Sequence, residues 1–134
     1  MREELDADLC VVNGENVADG VGITPKLADK LLRAGADVVT LGNHTYRRDG
    51  IGDYLGTSEQ VIRPANAGMW TPGRGLAVVE ARNGVKAELA IARMRTRLPV
   101  RFEPADGGVR IEGVVIDCSD DGRASSIEPL RRLF

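Results

Sequence analysis

Two short apolar runs stand near the start of the chain, "DLCVV" at 8–12 and "ADVVTL" at 36–41, and each gives way to a polar, glycine-bearing turn. Their length and β-branched residues predict two buried strands. Between them, "NGENVADGVG" has the glycines and side-chain amides of a loop. Thr24 is placed to cap a helix, with Pro25 at its first position. Leu27, Leu31 and Leu32, with Ala28 and Ala34, make an apolar stripe at helical spacing. Gly35 is placed to end that helix in the left-handed conformation. The order strand, loop, helix, strand leaves room for a right-handed parallel crossover. Both polar turns then lie at the carboxyl ends of neighbouring parallel strands, where open α/β sheets bind ligands.

The pattern changes further along. "VIRPAN" is a short extended run held by Pro64. "GLAVVEA" and "VKAELAIA" flank Asn83-Gly84, a strong hairpin signal. "VRFEP" and "VRIEGVVIDC" flank "ADGG", which predicts a second hairpin. "SDDGRASS" predicts a third turn, and "SIEPLRRL" closes the chain as an edge strand carrying Pro129. The expected fold is α/β: a reduced parallel sheet in front and an antiparallel, hairpin-rich C-terminal half.

Composition narrows the function classes. The chain has 134 residues, enough for one domain. Its 43% hydrophobic and 28% charged content is ordinary for a globular protein. The formal net charge of −2 argues against strong nucleic-acid binding. Arg93, Arg95, Arg97 and Arg101 form a local basic cluster, read as a solvated edge or loop. No run approaches the roughly 18 apolar residues of a membrane span. "MREELDADLC" has no apolar signal core, so a cytoplasmic protein is expected. Cys10 and Cys118 each lie in an apolar run and read as buried small hydrophobes, without zinc-site spacing.

The polar turns carry the candidate chemistry. In "NGEN", Asn13, Glu15 and Asn16 offer a carboxylate and two amide oxygens, the donors that hard divalent cations favour. Gly14 would let the backbone bend tightly there. An Asx turn that satisfies its own backbone is the plainer alternative. In "GNH", Asn43 offers a further oxygen, and His44 is the chain's single histidine. Histidine can ligate a metal or protonate a leaving group near neutral pH. Trp70, in "GMWTPGRG", reads as a loop anchor or as a surface for a base.

Longer stretches go further. "VVNGENVADGVGIT", "GADVVTLGNHTYRRDGI", "VIRPANAGMWTPGRGLAVVEA" and "LPVRFEPADGGVRIEGVVIDC" resemble the YmdB-like calcineurin-type metallophosphoesterases. The resemblance runs from about Asp8 to about Ile127. It implies hydrolysis of phosphodiesters, with 2′,3′-cyclic nucleotides as a favoured substrate class. It implies a binuclear site of divalent ions (Fe, Mn or Mg), with Glu15, Asn16 and Asn43 as metal ligands. By the same resemblance, His44 is the catalytic acid that protonates the leaving oxygen.

Departures from the family pattern temper these expectations. The family begins with a strand ending in a metal-binding Gly-Asp turn, which this sequence lacks. It also carries a long central segment with further histidine ligands, whereas here "ELAIA" runs almost directly into "RMRTRLPVRF". The expected organisation is a single shortened domain, 1–134, of an N-terminal block at 1–92 and a C-terminal block at 93–134. Glu15, Asn16, Asn43 and His44 then suit at most one weakly bound ion, and impaired catalysis follows. Without the family's first strand, an apolar sheet edge is exposed, which invites self-association. The alternative is an inactive remnant, a weak metal- or phosphate-binding module or a β-edge interaction module.

Overall fold

The structure is a computed structural model that describes residues 2–84, 86–90 and 110–133. The chain divides into two compact units, Met1–Leu98 and Pro99–Phe134.

The first unit is built on a three-stranded parallel sheet of β1 (Val11–Asn13), β2 (Val38–Thr40) and β3 (Val61–Ile62), in the order β1-β2-β3. Helix α1 (Pro25–Arg33) connects β1 to β2, and α2 (Ile51–Thr57) connects β2 to β3. Thr24 caps α1 as its sequence predicts: its side chain accepts from the Leu27 amide at 3.3 Å, and Pro25 opens the helix. Gly35 follows with φ +103°, a conformation that side chains disfavour.

Side-chain alternation along the strands divides the core between the two faces of the sheet. Val39, Leu41 and Val61 pack with Ile23, Ala28, Ile51 and Leu55, and with the α1 leucines. Val38 and Ile62 face the other way and pack with Ala77, against which Val79 also lies. Ala77 and Val79 belong to β4 (Leu76–Glu80), which pairs antiparallel with β5 (Lys86–Ala90) across the Asn83-Gly84 turn.

The second unit's described part is a ribbon of β6 (Arg110–Cys118) and β7 (Ala124–Leu133), antiparallel, with an irregularity at Asp117/Cys118. Its turn closes through Gly122 N–H to Ser119 O at 2.8 Å and Ser119 N–H to Arg123 O at 2.9 Å.

Four expectations need correction. The first run is not a buried strand: β1 starts at Val11, which is exposed, and it is the outer strand of its sheet. Helix α2 is absent from the sequence reading because Gly52 and Gly56 lower its helical propensity and Gly50 caps it without a side chain. It forms because Ile51 and Leu55, four residues apart, both bury fully against the sheet. Cys118 is exposed and Cys10 only half-buried, since an apolar run in a ribbon or an outer strand need not face a core. Trp70 is no loop anchor, being 94% exposed. The predicted "VRFEP" strand, its "ADGG" turn and the arginine cluster lie outside the described residues. Among the described residues, no helix is long and apolar enough to cross a membrane.

Candidate functional site

The sheet brings the two polar turns together because β1 and β2 pair in parallel, with Asn13 opposite Thr40. Gly14 N–H extends the ladder by one bond, to Thr40 O at 2.9 Å. Gly14 serves a different purpose from the bend expected of it. A Cβ there would lie 2.7 Å from Val39 Cγ1 and 3.0 Å from Ile23 Cδ1, so the position is filled by its neighbours. Asn13 takes the plainer of its two readings: its Oδ1 accepts the Glu15 amide at 3.1 Å, an Asx turn. That bond uses one of the two lone pairs of the Asn13 oxygen.

Glu15 crosses to the second turn. Its carboxylate lies against Gly42, where any Cβ would overlap it. Its Oε1 accepts the His44 amide at 3.2 Å and lies 3.8 Å from His44 Nδ1. The second turn is shaped by Thr45, whose hydroxyl donates to Gly42 O at 2.6 Å and whose residue is buried. Asn43 and His44 occupy the tip between them. Glycine in "GNH" is therefore required by the glutamate in "NGEN", a dependence invisible in either motif alone.

Asn16 and His44 meet at 2.7 Å, side chain to ring Nδ1. The amide orientation that satisfies both groups points the Asn16 nitrogen at Nδ1, and the same nitrogen then donates to Gly20 O at 3.1 Å and Glu15 O at 3.2 Å. With Nδ1 accepting, the neutral ring carries its proton on Nε2. The His44 side chain is 26% exposed and that of Glu15 17%, so both are sheltered but reachable.

Sequence reading missed a brace between the turns. The Arg48 Nε donates to Val21 O at 2.8 Å, its Nη2 donates to Ala18 O, and it lies 3.7 Å from the Asp19 carboxylate. Arg48 thereby ties the loop after "NGEN" to the turn after "GNH". Its signal was an arginine pair beside one turn and an acidic residue beside the other, too common a pattern to single out. Cys10 is no activated nucleophile, because burial pushes its thiol up and the nearby Asp37 carboxylate adds to the shift.

Asn43 does not join the Glu15–Asn16–His44 group through any direct bond. It lines an adjoining open cavity of about 220 Å³ with Gly42, Thr45, Tyr46, Pro64, and Ala67, Gly68 and Thr71 of the following loop. Tyr46 fixes that loop by donating its hydroxyl to Pro72 O at 2.6 Å. Among the described residues, no three histidine, cysteine, aspartate or glutamate side chains gather as a metal-binding group. Among those residues Glu15 is the one carboxylate that lies with the amides of the two turns. That donor set fits one oxygen-liganded cation and does not fit a pair of ions, which need more anionic ligands.

Comparison with known proteins agrees with the motifs. The 2′,3′-cyclic-nucleotide 2′-phosphodiesterase of Bacillus subtilis strain 168 is 39% identical over 104 residues, 78% of this chain and 39% of the relative. The chain thus spans well under half of that relative's length. The crystal structure of a novel phosphatase from Mycoplasma pneumoniae superposes with a TM-score of 0.61 at 27% identity, over 75% of this chain and 37% of that one. A hypothetical protein from Thermus thermophilus shares the fold, with a TM-score of 0.73 at 18% identity, over 94% of this chain and 88% of that one. The family model for YmdB-like proteins matches residues 1–87, the stretch that contains both turns, and the chain belongs to that family.

Proposed function

We propose that the chain carries the phosphodiester-hydrolysing site of a metal-dependent phosphodiesterase acting on 2′,3′-cyclic nucleotides, with impaired turnover. The observation that supports it most is the meeting of Glu15, Asn16 and His44 across two parallel strand ends, with Asn16 at 2.7 Å from His44 Nδ1. Glu15, Asn16 and Asn43 would hold one divalent ion, Mn, Fe or Mg, mostly through oxygen. When bound, such an ion polarises a phosphoryl oxygen and lowers the pKa of coordinated water.

The chain's own residues supply the rest. As the acid, His44 is the imidazolium, with hydrogen on both ring nitrogens: Nδ1–H donates to the Asn16 side-chain oxygen at 2.7 Å, which leaves Nε2–H for the substrate. Nε2 gives its proton to the ribose oxygen as the phosphorus–oxygen bond breaks, leaving the neutral ring, whose Nδ1 then accepts from the Asn16 amide. Glu15 anchors the turn through the His44 amide. The reduced sheet with its hairpin-rich C-terminal half, read as one domain of a cytoplasmic protein, is part of the same proposal. So is self-association through β1, whose Val11 is 44% exposed on the outer strand.

The lone carboxylate favours the weak end of this reading, in which metal and phosphate are bound with little turnover. The purified chain is expected to show slow, manganese-dependent hydrolysis of adenosine 2′,3′-cyclic phosphate. His44→Ala should lower it by about 100-fold or more. Rapid turnover by the isolated chain would refute the impairment. If neither hydrolysis nor calorimetric manganese binding occurs, the site itself is ruled out.

A further inference from the structure

The loop after β3 is built in a way that the hydrolytic chemistry does not require. It is fastened at its base by Arg63, which donates from its amide to Arg74 O at 2.9 Å and from Nε to Gly73 O at 3.0 Å. It is fastened at its side by the Tyr46 hydroxyl on Pro72 O. At its tip, Thr71 N–H donates to Gly68 O at 3.0 Å and the Thr71 hydroxyl to the same oxygen at 2.6 Å. This is a tight turn with Met69 and Trp70 at its two central positions.

Turn tips ordinarily carry Gly, Asn, Asp or Ser. Here the two central side chains are large and apolar, 84% exposed for Met69 and 94% for Trp70. Exposing a tryptophan leaves a large apolar area in water, and nothing in the loop's own fastening uses the ring. The residues on either side of the pair, Gly68 and Thr71, wall the cavity that Asn43 also lines. Asn43 is next to His44 in the chain. A planar, exposed ring is therefore held on a pinned loop at the rim of the cavity adjoining the candidate catalytic histidine.

We propose that Trp70 is the nucleobase platform of this site: the base of a nucleoside phosphate stacks on its indole while the phosphate lies toward Asn43 and His44. The inference rests on the phosphodiesterase reading and deepens it by assigning the recognition of the base. Stacking on an aromatic side chain tolerates any base, because every base has a π face. The expected preference is for nucleoside phosphates over base-free sugar phosphates, with little discrimination among bases.

Trp70 is the chain's single tryptophan, so its emission reports on this loop alone. The purified chain is titrated with adenosine 3′-monophosphate, and separately with ribose 5-phosphate, while tryptophan emission and binding heat are recorded. Saturable quenching by the nucleotide and none by ribose 5-phosphate is expected. Trp70→Ala should weaken nucleotide binding by about 5- to 100-fold, and Trp70→Phe should retain most of it. Nucleotide binding of equal affinity in the wild type and Trp70→Ala, with unchanged emission, would overturn the platform and leave the phosphodiesterase reading intact. If calorimetry detects no binding of adenosine 3′-monophosphate or adenosine 2′,3′-cyclic phosphate, both are overturned. The exposure of Trp70 means its variants should fold normally, which circular dichroism checks.

Discussion

The two units of this chain use apolar residues in opposite ways. In Met1–Leu98, Val38, Val39, Leu41, Ile51, Leu55, Val61 and Ile62 are essentially fully buried, on both faces of a parallel sheet. In Pro99–Phe134, none of residues 113–133 is buried, and Val114, Ile116, Ile127 and Leu133 are all at least half exposed. Cross-strand register puts those four on one face of the ribbon. A parallel sheet needs crossover helices, and these bring a second layer with them. An antiparallel ribbon closes through a short turn and requires no second layer, so its apolar face is left to other contacts. The same hydrophobic pattern therefore means a core in one unit and a surface in the other. The candidate site sits in the unit with the core, where rigid strand ends hold the turns in place.

The comparison is most sharply tested by truncating the core. Leu55→Ala, in a fully buried position, should destabilise the chain by about 2–5 kcal/mol in urea unfolding followed by circular dichroism. A loss below that of an exposed position would mean the first unit is not the cooperative core. Next in size is Gly42→Ala, whose methyl overlaps the Glu15 carboxylate. It should cost about 1–3 kcal/mol and displace Glu15, abolishing manganese binding by calorimetry. Unchanged binding would show that Glu15 does not need this seat.

A smaller effect separates the units by pH. Burial, with the hydrogen bond to Asp29, pushes Tyr54 in the first unit up to about 12. A raised tyrosine pKa contributes stability that is complete below about 10 and is lost as pH climbs toward the folded value. Unfolding midpoints of the wild type should therefore fall between about pH 10 and about pH 12, and Tyr54→Phe should flatten that fall. In the ribbon, the Ser119 hydroxyl and the Arg123 amide hold Asp121 below its ordinary value. Its contribution is present above the ordinary carboxylate pKa and fades as pH drops through the depressed one. The least change is expected from Ile127→Ala on the ribbon, within about 0.5 kcal/mol. A loss matching that of Leu55→Ala would place its apolar face in a core and erase the contrast.

Much of the first unit was legible in the sequence. Thr24, Pro25 and Gly35 marked α1 by local backbone chemistry alone, and Asn83-Gly84 marked a hairpin. Helix α2 was not legible, because its stability comes from burying Ile51 and Leu55 and not from propensity. The exposure of Cys118 was likewise hidden, since alternation shows which residues share a face but not whether anything covers it.

The site divides along the same line. The sequence alone determined which donors exist: one histidine, and a carboxylate and amides in two turns at the ends of strand-like runs. Only the tertiary structure decided how they are used. It pressed Glu15 against Gly42, set Asn16 on His44 Nδ1, and raised Trp70 on a pinned turn. These are contacts between residues some thirty positions apart or between a loop and its own base, and no local spacing encodes them. They follow from parallel pairing, which brings the ends of β1 and β2 side by side and leaves the chemistry to whatever the turns present there.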